Sequence, residues 1–448
     1  MPFKPPSLRS LTILRLWRQR FFRLIGLAWK WLGRLWKPVI ASIRRIPKRD
    51  QVLALLLLAL WIVLLLGNFY FRGVSRFEGS LVTKTMSFIY TGDVDKRFLN
   101  SLSLTKLALQ GKQPTSLILK GRFSSSDPSM NAQVKSFNQL QVQLSDSASK
   151  LILEVPNQVA KGKQLGSIDL KELRILPNAQ VEQLTYQPKA NQLSFCLQSS
   201  KNTNNNCSDI SATPSQTVVG ELKFSVNPGE VNLFFANGQI PALNITAATL
   251  ETSLTWIPEG QEYILEIPAS TALEIGLPKI HKTIPEQTIE AVDQLIRGDI
   301  PVKQVRFSRL DRSNNVNDAI LTSAISDGEV RMMGQSLKLQ PQQFLIIPTN
   351  RDFDKLNCRM APEQNPGIQR LRDIRVKLEN PKGLQTLISG ESKCLAVGLY
   401  QEFPAQTIEP SWLLTYLPQE GINAIYTLIG AFTGILFPRL FPEKDSSK

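Results

Sequence analysis

From about residue 115 to 400, apolar and polar residues alternate with a period of two, the mark of half-buried strands. Leu140, Val142 and Leu144 alternate with Gln139, Gln141 and Gln143, and Leu222, Phe224 and Val226 with Glu221, Lys223 and Ser225. Leu250, Thr252, Leu254 and Trp256 form a third row, and Ile374, Val376 and Leu378 a fourth. Asn227-Pro228-Gly229-Glu230 puts Pro and Gly at the central positions of a type II turn, and Pro258-Glu259-Gly260 repeats the device. One-sided alternation with short connections predicts a mainly β body of antiparallel sheets: a sandwich, jelly roll or open barrel. One helix is expected just before residue 298, with Pro285 and Glu286 in its first turn, Ile289, Val292 and Ile296 on one face, and Gly298 after its last turn. It would cap the core or divide residues 72–417 into two domains near 277–300.

Two stretches depart from this pattern. Every residue from Val52 to Gly67 is apolar, and Phe69, Tyr70 and Phe71 extend the run to 20 residues, enough to cross a hydrocarbon core of roughly 30 Å. Residues 51–71 are therefore expected to form a transmembrane helix, retained as a signal anchor because no small-residue cleavage site follows it. A second run, Ile422 to Phe437, is diluted by Asn423, Thr427 and Thr433. It predicts a returning transmembrane helix over 422–440 before a short tail at 441–448, and its Gly430 and Gly434 would let a partner helix approach closely.

Charge changes the picture at the N-terminus. The net charge is +15, yet residues 1–50 hold 13 Lys and Arg against Asp50 alone, which leaves only +3 for the remainder. Basicity confined beside an apolar span points to anionic lipid headgroups of the inner leaflet and excludes a nucleic-acid-reading body. Within residues 11–37, Leu14, Trp17, Phe21, Leu24, Ala28, Trp31 and Leu35 recur at helical spacing. Arg15, Arg23, Lys30, Arg34 and Lys37 fall opposite them, with Arg18 out of place, and Trp29 and Trp36 add to the tryptophan cluster. Such a helix lies flat on a membrane surface. With so many cations before the span and only Arg72 and Arg76 soon after it, the N-terminus is expected in the cytoplasm and the β body outside, in the periplasm or an equivalent lumen.

The four cysteines, Cys196, Cys207, Cys358 and Cys394, all lie in the body, as export to an oxidising compartment requires. Cys196 with Cys207, bracketing a polar loop, and Cys358 with Cys394 is the favoured connectivity of three. No C-x-x-C spacing supports a metal site. The lone histidine, His281, has no HExxH or G-x-S-x-G context, and no phosphate-binding or dinucleotide glycine motif is present. No catalytic residue, cofactor or metal is therefore expected.

The expected function is that of a membrane-anchored, non-enzymatic structural or assembly protein of the cell envelope, presenting its β body to protein partners. The alternative is lipid or glycolipid handling through a jelly-roll groove. The layout, one span followed by a β body, resembles that of lipopolysaccharide-transport bridge subunits, a likeness of arrangement that no motif carries.

Overall fold

The computed structural model describes residues 59, 74–113, 116–158, 164–200, 217–237, 239–240, 245–246, 252–278, 294–296, 300–312, 319–347, 371–379, 381–400, 404–409 and 419–440. The chain divides into two compact units, Gly73–Pro410 and the flanking pieces Met1–Arg72 with Ser411–Lys448.

Gly73–Pro410 is mainly β, and every ladder between its described strands is antiparallel. The largest sheet runs in the order Val302–Arg306, Thr85–Tyr90, Ala179–Gln187, Gln192–Ser199, Thr271–Gly276, Lys106–Gln110, Lys150–Glu154, Val231–Ala236, Thr252–Pro258, Leu117–Ser124 and Gln139–Val142. A four-stranded sheet runs Gln261–Pro268, Val218–Asn227, Ser167–Ile175 and Lys96–Leu104. A six-stranded sheet runs Gln294–Ile296, Asp373–Glu379, Gly383–Ser392, Ser75–Thr83, Ile325–Met332 and Gln335–Leu339.

The alternation seen in the sequence sorts each strand into a dry and a wet face. Leu222, Phe224 and Val226 are fully buried, while Glu221, Lys223 and Ser225 between them remain half-exposed. Leu140 and Val142 are buried between exposed Gln139 and Gln141. The apolar faces of all three sheets join one continuous core. Two aromatic bridges link the large sheet to the four-stranded one. Phe98 sits 6.1 Å from Phe88 and 5.4 Å from Phe195, and Tyr263 lies 5.1 Å from Phe224 and 6.2 Å from Trp256, which stacks on Phe123 at 6.4 Å. The Trp256 Nε1–H donates to the Lys120 carbonyl at 3.1 Å, so its one polar atom is satisfied inside the core.

Strands on both sides of residues 277–300 share sheets. Thr85–Tyr90 pairs with Val302–Arg306, and Ser75–Thr83 lies between Gly383–Ser392 and Ile325–Met332. The helix expected before Gly298 is not what its C-terminal end forms: Gln294–Ile296 is a strand pairing with Asp373–Glu379, Gln294 opposite Lys377 and Ile296 opposite Val376. The ladder on that strand satisfies backbone groups that a helix would have satisfied locally, and it overrides the three- and four-residue spacing. The earlier part of that expected helix lies outside the described residues.

A short helix, Pro128–Val134, is capped by Asp127, whose Oδ1 accepts from the Ser129 N–H at 2.9 Å and from the Ser129 hydroxyl at 2.8 Å. Pro128 occupies the position where its missing N–H costs nothing.

The two ends of the body leave it close together. Ser75, at its start, pairs with Ser392, and Ile408, near its end, pairs with Leu395. With cross-strand spacing of about 5 Å and three residue steps from Ser392 to Leu395, the two exits lie no more than about 20 Å apart.

In the flanking unit, Gln419–Leu440 is a helix of 22 residues. Among the described residues no helix is long and apolar enough to cross a membrane.

Candidate interaction surface

The outer face of the four-stranded sheet carries a network of charged side chains. Cross-strand register builds it in rows: Glu266 stands opposite Glu221, which faces Arg174, and Ile264 stands opposite Lys223, which faces Glu172. Ion pairs stitch the edge strand Lys96–Leu104 to Ser167–Ile175 and run along Val218–Asn227. Arg97 Nε lies 2.5 Å from Glu172, Arg174 bonds both Glu172 and Asp95 at 2.9 Å, and Lys223 pairs with Glu221 at 3.0 Å. Burial works to raise the Glu172 carboxyl, but hydrogen bonding and charge from Arg174, with Arg97 and Lys223, hold it below its usual range. The edge strand Gln261–Pro268 stays outside this network. Its Glu262 and Glu266 are exposed, and Ile264 between them is 60% exposed.

On the polar face of the six-stranded sheet, a depression of about 520 Å³ is lined by Glu78, Ser80, Glu329, Arg331 and Arg375. Arg331 bonds Glu329 through two nitrogens, at 2.9 and 3.2 Å, and this hydrogen bonding holds the Glu329 carboxyl low. The charges in the depression therefore neutralise each other at least in part.

Burial pushes the Tyr263 phenol up to about 12, as expected for a ring inside the aromatic bridge. Glu182 is also raised, by burial first, with the Arg306 charge and a 2.6 Å hydrogen bond from Gln180 opposing. A carboxyl whose folded-state pKa lies above its unfolded value stabilises below the unfolded value of 4.5 and loses that contribution as pH rises through the folded one. Glu182→Gln is accordingly expected to raise the thermal midpoint at pH 7, with the gain vanishing below about pH 4, as differential scanning fluorimetry at the two pH values would show.

The residues singled out in the sequence are dispersed. Cys196 is buried in Gln192–Ser199 and Cys394 is buried just before Leu395–Gly398; no described cysteine is a free thiol. Gly430 and Gly434 sit on Gln419–Leu440, with no described atom within 4 Å of a Cβ built on either. Cys207, Cys358, His281 and the membrane-surface set from Arg15 to Lys37 lie outside the described residues. Among the described residues no group of His, Cys, Asp or Glu could hold a metal ion. Sequence reading missed Glu262, Ile264 and Glu266. Their signal was an apolar residue on the wet side of an alternating strand, where Tyr263, Leu265 and Ile267 already supply the buried row.

Fold and surface together define a mainly β protein of antiparallel sheets in which the strand Gln261–Pro268 pairs on one side only among the described residues. No protein family, curated protein or solved structure matches the chain.

Proposed function

We propose that the chain is a membrane-anchored, non-enzymatic interaction protein that holds a sandwich of antiparallel sheets on the extracytoplasmic side for a protein partner. The observation that carries the reading is the closeness of the two exits at Ser75 and Ile408. A body whose two chain ends leave close together can be held at both of them, by an anchor at 51–71 and by the segment that carries the helix Gln419–Leu440. The basic helix at 11–37 would brace the anchor on the inner leaflet. Disulfides joining Cys196 to Cys207 and Cys358 to Cys394 belong to the same reading, since export would oxidise them.

Lipid handling ranks second because the inward rows are spent on each other. Trp256, Phe98, Phe224 and Tyr90 are at most 2% exposed, which leaves them no apolar surface to offer an acyl chain. Crosslinking of the full chain in native membranes, followed by mass spectrometry, is expected to return a second membrane or envelope protein. Recovery of the chain alone, or with bound lipid only, would count against the reading.

A further inference from the structure

Unpaired strand edges are templates for another chain, and folded proteins blunt them with bulges, shortness or charge. Most edges of the described sheets are blunted in this way. Lys96–Leu104 is broken by a bulge between Arg97 and Leu99 and by a positive φ at Ser101, and Val302–Arg306 is bulged between Lys303 and Arg306. Gln294–Ile296, Gln139–Val142 and Gln335–Leu339 have three, four and five residues. Gln261–Pro268 is different. Its first seven residues, Gln261 to Ile267, keep unbroken register with the neighbouring strand from Val226 to Gly220, a register shift falling only at Pro268, and among the described residues it pairs on that side only. Every second residue of such a strand turns its N–H and C=O outward.

The side chains indicate what would pair there. On the wet face Glu262, Ile264 and Glu266 project together, and neither carboxylate has an ion-pair partner among the described residues. Lys223, which stands opposite Ile264, already pairs with Glu221. A second copy of this chain fits poorly. Antiparallel self-pairing centred on Ile264 would set Glu262 of each copy against Glu266 of the other, two like-charge pairs that disfavour the ladder.

We propose that Gln261–Pro268 is a strand-addition edge for an extended partner segment in which two basic residues flank an apolar one at alternate positions. Backbone hydrogen bonds would supply affinity, and the Glu–Ile–Glu row would supply selectivity. This inference rests on the protein-interaction reading above and names the partner's chemistry.

The test uses the full chain in nonionic detergent and a blocked, fluorescein-labelled peptide centred on Lys-Thr-Val-Thr-Lys, followed by anisotropy. Saturable binding is expected, and replacing both lysines of the peptide by glutamate should weaken it about tenfold. The Glu262→Lys, Glu266→Lys double variant, whose changes are on exposed positions, should keep its thermal midpoint and reverse that preference. N-methylation of alternate peptide nitrogens should abolish binding, because it removes the ladder and leaves the charges. Absence of binding, or binding indifferent to N-methylation or to the charge reversal, overturns the proposal. So does a disulfide forming between copies of an Ile264→Cys variant in the native membrane, since the edge would then be closed by the chain itself. A partner recovered by crosslinking and captured equally by the double variant would sink the edge and leave the interaction reading standing.

Discussion

Replacing Trp256 by alanine is expected to destabilise the body by about 3–5 kcal/mol, the range for deleting a large buried aromatic. Trp256 is fully buried, stacks on Phe123, meets Tyr263 edge-on and donates to the Lys120 carbonyl. Its loss would open a cavity between the two sheets and remove the donor that the part-buried Lys120 carbonyl accepts from. A guanidinium titration should show the midpoint falling with an unchanged slope. Trp256→Phe is the milder change: it keeps a ring against Phe123 and removes the donor together with the bulk of one indole ring. About 1–3 kcal/mol is expected for that variant. If Trp256→Ala costs no more than Trp256→Phe, the aromatic bridge is not what joins the sheets.

Gly229→Ala is the second large effect, at least about 2 kcal/mol. Gly229 has φ +138, and a Cβ there would lie 2.3 Å from the Gly166 nitrogen and the Leu165 carbonyl carbon. Both obstacles are backbone, held by Gly166 N–H to the Glu230 carbonyl at 3.2 Å and Glu230 N–H to the Gln164 carbonyl at 2.9 Å. They cannot rotate away as a side chain would. Gly260 is the control: its φ is +81, but a Cβ would meet only Pro228, at 3.5 Å, so Gly260→Ala should cost about 1 kcal/mol of backbone strain. Thermal or chaotrope melts that rank the two substitutions equally would refute the close-approach argument.

Both glycines were recognisable as turn residues in the sequence, but only the structure separates a turn in open space from one pressed against another segment. The same division runs through the fold. A period of two tells which face of a strand is dry, and rows such as Leu222, Phe224 and Val226 are buried as that period requires. It carries no information about which strand lies alongside. Nothing local to Ser75–Thr83 indicates that its neighbours are Gly383–Ser392 and Ile325–Met332, more than 200 residues away. The short helix Pro128–Val134 had a readable start in Asp127 and Pro128, but its seven residues give too little periodicity to stand out. The helical spacing before Gly298 misled for the opposite reason: at Gln294–Ile296 a distant ladder outweighed it. The edge at Gln261–Pro268 was half-visible, since Ile264 broke the alternation, while its pairing on one side only among the described residues is a property of the assembled sheet.

The two exits at one corner also fix where tension would travel. A pull between the segments flanking the body enters at Ser75, crosses the ladder to Ser392, passes through Lys393 and Cys394 to Leu395 and leaves across the ladder to Ile408. The eleven-stranded and four-stranded sheets lie off that line. They would stay slack, and the Gln261–Pro268 edge with them, while those two ladders took the load.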